Sequence, residues 1–140
     1  MSVYSEKLAK LKKEFSDIKT RRGKNKFSDN QQAIYDFVQG STNKAVLNIK
    51  GMTVELQKGD KYFGLEHILL KHYGIGSSGR IEGKHILYLD EMISRGLLWV
   101  LGSTNPDNIV YRKAKGIDAH LLILKPTQNG HYVVSFYKED

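Results

Sequence analysis

The order of apolar and polar residues predicts two amphipathic helices in the first 40 residues. The first apolar stripe has the spacing of a helix over residues 4–19 and consists of Leu8, Leu11, Phe15 and Ile18. After the break "KTRRGKNKF", Ser28 and Gln31 have the spacing of a capping box, and Gly40 is a typical helix end. The apolar face of this second helix consists of Ala33, Ile34, Phe37 and Val38.

The middle of the chain changes to strand signals and then returns to helical ones. The segments "KAVLNIK" and "MTVELQ" are typical of two strands joined by a turn near Gly51, as in a hairpin. Helical spacing predicts a helix over residues 62–73 and, after the glycine-rich loop "GIGSSG", another over residues 83–95.

The C-terminal part is rich in strand signals, carried by "LLWVLG", "NIVYRKAK", "AHLLILK" and "HYVVSFYK". The last two segments are joined through Asn129-Gly130, a strong hairpin signal. Strict alternation in the last strand predicts a core face of Tyr132, Val134 and Phe136. The opposite face would carry His131, Val133, Ser135 and Tyr137.

Together these elements predict an α+β fold. The N-terminal helices and a central helical pair would pack on one face of a mostly antiparallel sheet of four to five strands. A length of 140 residues is typical of one compact domain. Within it we distinguish a basic helical N-terminal unit, residues 1–40, from the remainder, residues 41–140.

Composition narrows the chemistry and the location. Hydrophobic residues make up 40% of the chain and charged residues 26%, so we expect it to fold. The absence of cysteine excludes disulfides, thiol catalysis and thiolate metal sites. No apolar run approaches the ~20 residues of a membrane span, and the N-terminus lacks a hydrophobic signal core. We therefore expect a soluble, cytoplasmic protein that does not associate with membranes.

The net charge of +7 is concentrated near the N-terminus. Residues 1–26 contain nine Lys or Arg and three acidic residues, a net charge of +6. Such a segment attracts polyanions, and contact with RNA is one interpretation. A solvated basic helix without a ligand is the other.

Two of the five histidines lie on the predicted helix "FGLEHILLKHYG". His72 continues the apolar stripe of Leu65, Ile68 and Leu69, whereas His67 and Lys71 lie on a flanking face. At ~100° per residue the two histidines are roughly 140° apart, so they are expected to face different directions. Chelation by one helix favours histidines four residues apart, and no other cluster of metal ligands stands out. We therefore predict neither a metal nor a cofactor.

His67 and Lys71 are four residues apart and lie one helical turn from each other. An imidazole and an ammonium beside one phosphate are groups that metal-free RNA cleavage requires. The polar face of the last strand would add Ser135 and Tyr137, and the neighbouring strand Arg112, to a shallow platform for a phosphate and a base. The alternatives are a solvent-facing or packing histidine and an ordinary half-exposed sheet.

The order of these elements resembles the barnase, EndoU, colicin and RelE superfamily of metal-independent ribonucleases, and its phage-associated or polymorphic-toxin branch in particular. The resemblance covers about residues 44–140 and rests on "LEHILLKH", "ILYLDEMISRG", "YRK" and "YVVSFY". It implies an α+β fold with helices on one side of an antiparallel sheet, and RNA cleavage through a 2′,3′-cyclic phosphate. It also implies catalytic roles for His67, Arg112 and Ser135, where the family often has threonine, and a supporting role for His72.

The expected function is thus a toxin-like, metal-independent endoribonuclease that acts on RNA, with tRNA as one candidate substrate. The expected RNA-binding residues are Lys71, Lys113, Tyr137 and Lys138. A cognate inhibitor, immunity protein or carrier protein is a further candidate partner. The alternatives are a non-catalytic RNA-binding module and a phage or structural protein that docks through its N-terminal helix.

Overall fold

The computed structural model describes residues 2–99, 107–115 and 118–139. The helices are α1 (Val3–Arg22), α2 (Asp29–Gln39), α3 (Gly64–His72), α4 (Gly83–Leu87) and α5 (Asp90–Ser94). The strands are β1 (Lys44–Ile49), β2 (Met52–Gln57), β3 (Leu97–Leu98), β4 (Ile109–Lys115), β5 (Asp118–Thr127) and β6 (Gly130–Lys138). The predicted strand over residues 97–102 begins as β3, and its later residues, 100–102, lie outside the described ranges.

Local signals explain the ends of the first two helices. The Ser2 side chain accepts a hydrogen bond from the Ser5 amide at the start of α1. Ser28 and Gln31 form the predicted capping box of α2, and Gly40 ends α2 in the left-handed conformation with φ 92°. Both predicted helices are therefore confirmed.

The predicted helix over residues 83–95 is wrong as a single element, because it is divided into α4 and α5 around Tyr88 and Leu89. Leu87 and Leu89 are both fully buried. On one continuous helix these two side chains would be about 200° apart and could not both face the core. The interruption between α4 and α5 lets both of them pack inside.

The strands form one six-stranded sheet in the order β1-β2-β6-β5-β4-β3. The pairing of β2 with β6 is parallel, and the other pairings are antiparallel. The α+β class and the helices on one side of a mostly antiparallel sheet are confirmed, with six strands instead of the predicted four to five. One hydrophobic cluster extends from Leu11 and Phe15 of α1 to Phe136 of β6. The basic N-terminal helices thus contribute to the same core as the sheet.

The core face predicted for β6 is correct at Phe136 and wrong at Tyr132 and Val134, because the strand contains a β-bulge. Leu124 pairs with Val133 and Ile123 pairs with Ser135, so Val134 is an extra residue without a partner on β5. Directly opposed residues share a face, and the partners of Val133 and Phe136 are Leu124 and Leu122, which lie two residues apart on β5. Val133 and Phe136 therefore lie together on the helix-covered face of the sheet. Ser135 and Tyr137 lie together on the other face, which we call the open face.

In the described part of the chain, no helix is long and apolar enough to cross a membrane.

Candidate active site on the open face

The position of α3 brings its histidines to the margin of the open face. α3 contacts β6 next to the short stretch in which β6 pairs with β2. The helix begins at Gly64, which has φ 81°, and a Cβ there would lie 2.7 Å from the carbonyl oxygen of Gln57. Glycine therefore permits the close approach of α3 to the end of β2. Leu65, Ile68 and Leu69 of α3 face the core, and the imidazoles extend towards β6.

His67 is oriented by hydrogen bonds at both ring nitrogens. Its Nδ1 lies 2.9 Å from the carbonyl oxygen of Lys61, and its Nε2 lies 3.0 Å from Oγ of Ser135. A carbonyl can only accept, so Nδ1 carries the proton and donates it. In the neutral ring Nε2 is then the acceptor of the Ser135 hydroxyl. This arrangement directs the basic nitrogen of His67 towards the sheet.

His72 is buried, with 9% of its surface exposed, and forms part of the same cluster. Its ring stacks on Tyr137 with centroids 5.0 Å apart and meets the ring of His67 edge to face at 5.6 Å. Its Nδ1 is 2.7 Å from the carbonyl oxygen of Ser78. The expectation that the two histidines face different directions is therefore incomplete, because their rings are in contact beside β6.

The glycine-rich loop after α3 is attached to the end of β6. The amide of Lys138 donates to the carbonyl of Gly79 at 3.0 Å. Gly79 has φ 57°, and a Cβ would lie 2.9 Å from the carbonyl oxygen of Lys138 and 3.3 Å from Nδ1 of His72. Both the backbone conformation and the space thus require glycine at this position.

An open cleft of ≈ 390 Å³ lies beside this cluster, between the loop and the sheet. Its lining residues are His72, Ser78, Gly79, Trp99, Leu121, Tyr137, Lys138 and Glu139. Burial, followed by the nearby Glu139 carboxylate, raises the pKa of Tyr137. The Tyr137 phenol therefore keeps its proton at neutral pH and can donate it in a hydrogen bond.

Arg112 is on the same face, at the far side of the cleft. It is paired with Leu121 of β5, which is paired in turn with Tyr137 of β6. The guanidinium lies over Trp99, 4.7 Å from the ring centroid, and its Nε donates to Oε2 of Glu139 at 2.8 Å. Two strand spacings separate the backbones of Arg112 and Tyr137, about 10 Å. The charge of Arg112 is thus near the cleft but already paired.

The predicted RNA-binding lysines are divided between different surfaces. Lys71 is exposed on α3, near His67 in sequence. Lys113 and Lys138 are aligned with His120 across the sheet, so their side chains leave from the helix-covered face. They pair with acidic residues: Lys113 Nζ lies 3.5 Å from Glu91 Oε2, and Lys138 Nζ lies 3.1 Å from Asp118 Oδ1. Lys138 also lines the open-face cleft.

Trp99 and Glu139 were not predicted, although both line the cleft. Glu139 follows Tyr137 by two residues, and continued alternation beyond the predicted strand end would have placed it on the same face. Trp99 follows the two-residue strand β3, for which the sequence contains no register signal. Within the described ranges, no three His, Asp or Glu side chains are grouped so that they could hold a metal ion.

Comparison with known proteins identifies no family for this chain. No family model matches the chain, and a search of curated proteins finds no match.

Proposed function

We propose that this protein is a metal-independent endoribonuclease whose base is His67. The observation that carries the proposal is the bond from the Ser135 hydroxyl to Nε2 of His67, whose ring contacts His72 in the wall of a cleft that Trp99 and Tyr137 also line. A general base needs an unprotonated nitrogen held in a fixed direction. The Lys61 carbonyl selects the tautomer of His67 in which Nδ1 carries the proton and Nε2 is unprotonated. The expected substrate is single-stranded or looped RNA, because Trp99 and Tyr137 offer ring faces for an unstacked base.

In the proposed reaction Nε2 of His67 removes the proton of a ribose 2′-hydroxyl. The 2′-oxygen attacks the adjacent phosphorus, the bond from phosphorus to the 5′-oxygen breaks, and a 2′,3′-cyclic phosphate forms. The leaving 5′-oxygen needs a proton from a second group, since attack and departure occur on opposite sides of the phosphorus. Tyr137 is the best candidate donor because its hydroxyl keeps its proton and the residue lines the cleft. His72 would support Tyr137 through ring stacking.

Arg112 and Lys71 would stabilise the negative charge that develops on the phosphate. Nε of Arg112 is bonded to the Glu139 carboxylate. Arg112 must therefore either contact the phosphate while it keeps this bond or break the bond to Glu139. Ser135 is only 5% exposed, so it is poorly placed to attack a substrate itself. Its role would be to position His67 and to bond a phosphate oxygen once substrate displaces the imidazole contact.

We place this activity in the cytoplasm, with RNA as the main partner and an inhibitory or carrier protein as a second one. The resemblance to toxin ribonucleases supports this context. The exposed lysines of α1, among them Lys10 and Lys13, provide additional charge for polyanion contact.

The test is incubation of the purified protein with tRNA and with total RNA in excess EDTA. We expect new fragments with 2′,3′-cyclic phosphate ends, detected by mass spectrometry. His67→Ala should lower the rate by about 10²- to 10⁴-fold, the usual contribution of a general base. His131→Ala is the matched control, because His131 is half-buried at the start of β6, away from the cleft, and its loss should leave the rate unchanged. Intact RNA, or equal cleavage by the two variants, would refute the assignment.

A non-catalytic RNA-binding module is the second candidate, and one observation favours it. Both ring nitrogens of His67 are engaged within the protein, as they would be in a histidine with a purely structural role. This candidate predicts salt-sensitive RNA binding without cleavage, together with lower thermal stability in His67→Ala. Measuring binding and product formation on the same RNA separates the two functions.

A further inference from the structure

A second cleft of ≈ 450 Å³ lies on the opposite side of the sheet, between β5, β6 and the helices α4 and α5. Its apolar walls are Tyr88, Met92 and Phe136. Phe136 is 2% exposed, Met92 is 4% exposed, and Arg22 donates to the Tyr88 hydroxyl at 2.9 Å. Tyr88 is therefore held in place as an aromatic wall, and Phe136 and Met92 form a largely covered apolar floor on which a flat ligand could lie.

Two histidines add hydrogen-bonding atoms to these walls. The ring centroids of His85 and His120 are 4.4 Å apart. The amide of Glu82 donates to Nδ1 of His85 at 2.9 Å, so the proton of the neutral ring is on Nε2. Nε2 of His120 is inaccessible to solvent and has no hydrogen-bond partner within the described ranges. A buried ring nitrogen of this kind is costly unless a ligand satisfies it.

Both histidines are neutral at physiological pH. Burial, and then the proximity of His120, lowers the pKa of His85 to about 4, with Lys84 and Lys113 acting in the same direction against Glu82. Burial also lowers the pKa of His120, together with Lys138 and Lys113 and against Asp118. The pair therefore offers hydrogen-bonding nitrogens and no positive charge.

The charge of the cleft does not favour an ion. Lys84 and Lys113 line it together with Glu91 and Asp118, so the formal charges of the lining residues cancel. In the described part of the chain there is no group of three His, Asp or Glu that could hold a metal. Aromatic walls, neutral nitrogens and a balanced rim suit an uncharged flat ring with donors and acceptors on its edge.

We propose that this cleft is a binding site for a small neutral heteroaromatic compound of the nucleobase or nucleoside class. The ring would pack against Tyr88 and the uncovered edge of Phe136. Its edge would bond to Nε2 of His120 after displacing the side chains that shield this nitrogen from solvent. The site is separate from the cleft of His67 and Ser135, so this proposal stands whether or not the protein cleaves RNA.

The test uses four nucleosides, their free bases, inorganic phosphate alone and Zn²⁺ alone as probes. Calorimetry on the wild-type protein should detect binding of one or more bases or nucleosides, with an affinity that stays constant between about pH 7 and pH 8. In ¹⁵N-labelled protein the resonance of His120 Nε2 should shift on binding. This measurement needs no variant and therefore does not depend on a variant's folding.

His120→Phe keeps a ring but removes the nitrogen, and it should weaken binding at least about fivefold, the usual effect of one lost hydrogen bond. His131→Phe is the matched control, because Nδ1 of His131 is also buried without a partner in the described residues, and it should bind as the wild type does. Absence of binding by every base and nucleoside, or response to phosphate or zinc alone, would overturn the proposal. Equal affinity of the His120→Phe and His131→Phe proteins would overturn it as well.

Discussion

The histidine pair of the second cleft should make the protein sensitive to acid. The pKa of His85 falls from 6.5 in the unfolded chain to about 4 in the folded protein. Between these values the unfolded state binds more protons, so the free energy of unfolding rises with pH. The contribution of His85 is complete above about pH 6.5 and is lost as the pH falls towards about 4. His120 acts in the same direction because its pKa is also lowered.

The magnitude follows from the shift of His85. About pH 4.5 is two pH units below the pKa of His85 in the unfolded chain, and the ring is still largely neutral in the folded protein. At about 1.36 kcal/mol per unit, the free energy of unfolding has then fallen by about 2.7 kcal/mol. Partial exposure of the ring reduces this to about 1–2 kcal/mol. The loss is a large fraction of the roughly 5–15 kcal/mol that stabilises a typical domain.

The assay is urea unfolding, followed by circular dichroism, at several pH values between about 7 and 4.5. His85→Gln removes the titration but keeps an acceptor for the Glu82 amide, so its free energy of unfolding should fall about 1–2 kcal/mol less on acidification. Titrating groups that do not interact with His85 contribute equally to both proteins and cancel in this comparison.

Two further variants test the assigned causes of the shift. Lys113→Met should make the loss smaller because the ammonium lowers the His85 pKa. Glu82→Gln should make it larger because the carboxylate raises that pKa. If wild type and His85→Gln lose the same stability on acidification, the histidine is not the responsible group and the reasoning fails.

Three other variants test the open-face cleft and the core. Glu139→Gln should release Arg112 and tighten RNA binding about threefold to tenfold in a fluorescence anisotropy titration, and weaker binding would contradict a role for Arg112 in phosphate contact. Gly79→Ala should cost about 1–3 kcal/mol more in urea unfolding than Gly76→Ala, because both have positive φ but only Gly79 faces the Lys138 carbonyl closely. Phe15→Ala should cost about 3–5 kcal/mol and leave one cooperative transition, whereas two transitions would mean that residues 1–40 fold separately.

Local patterns predicted most of the secondary structure because each signal lies within a few residues. The capping box at Ser28, the Gly40 end and the Asn129-Gly130 hairpin depend on backbone geometry that neighbouring residues determine. The order of the strands in the sheet, by contrast, could not be predicted from local patterns. The pairing of β2 with β6 joins residues far apart in sequence, so no local pattern contains it.

The candidate site was only partly predictable for the same reason. His67, Ser135 and Tyr137 were expected near one surface, and the structure brings all three beside β6. Alternation alone could not predict the bulge at Val134, which moves Val133 to the helix-covered face. The contact between His67 and His72 was not predicted. The helical angle gives the direction in which each side chain leaves the helix, but it does not give the final position of the imidazole ring.

The position of β6 has a consequence for the order of folding. This strand lies between β2 and β5, and through it the β1 and β2 hairpin is joined to the sheet of β3, β4 and β5. It also follows both of these groups in the chain, so each can form local pairings during synthesis before the strand that connects them has been made. Ser135 is on that strand, and the bond to His67 forms only after a closure that spans 68 residues. The nascent chain should therefore lack the candidate catalytic pair until the two halves of the sheet have been joined.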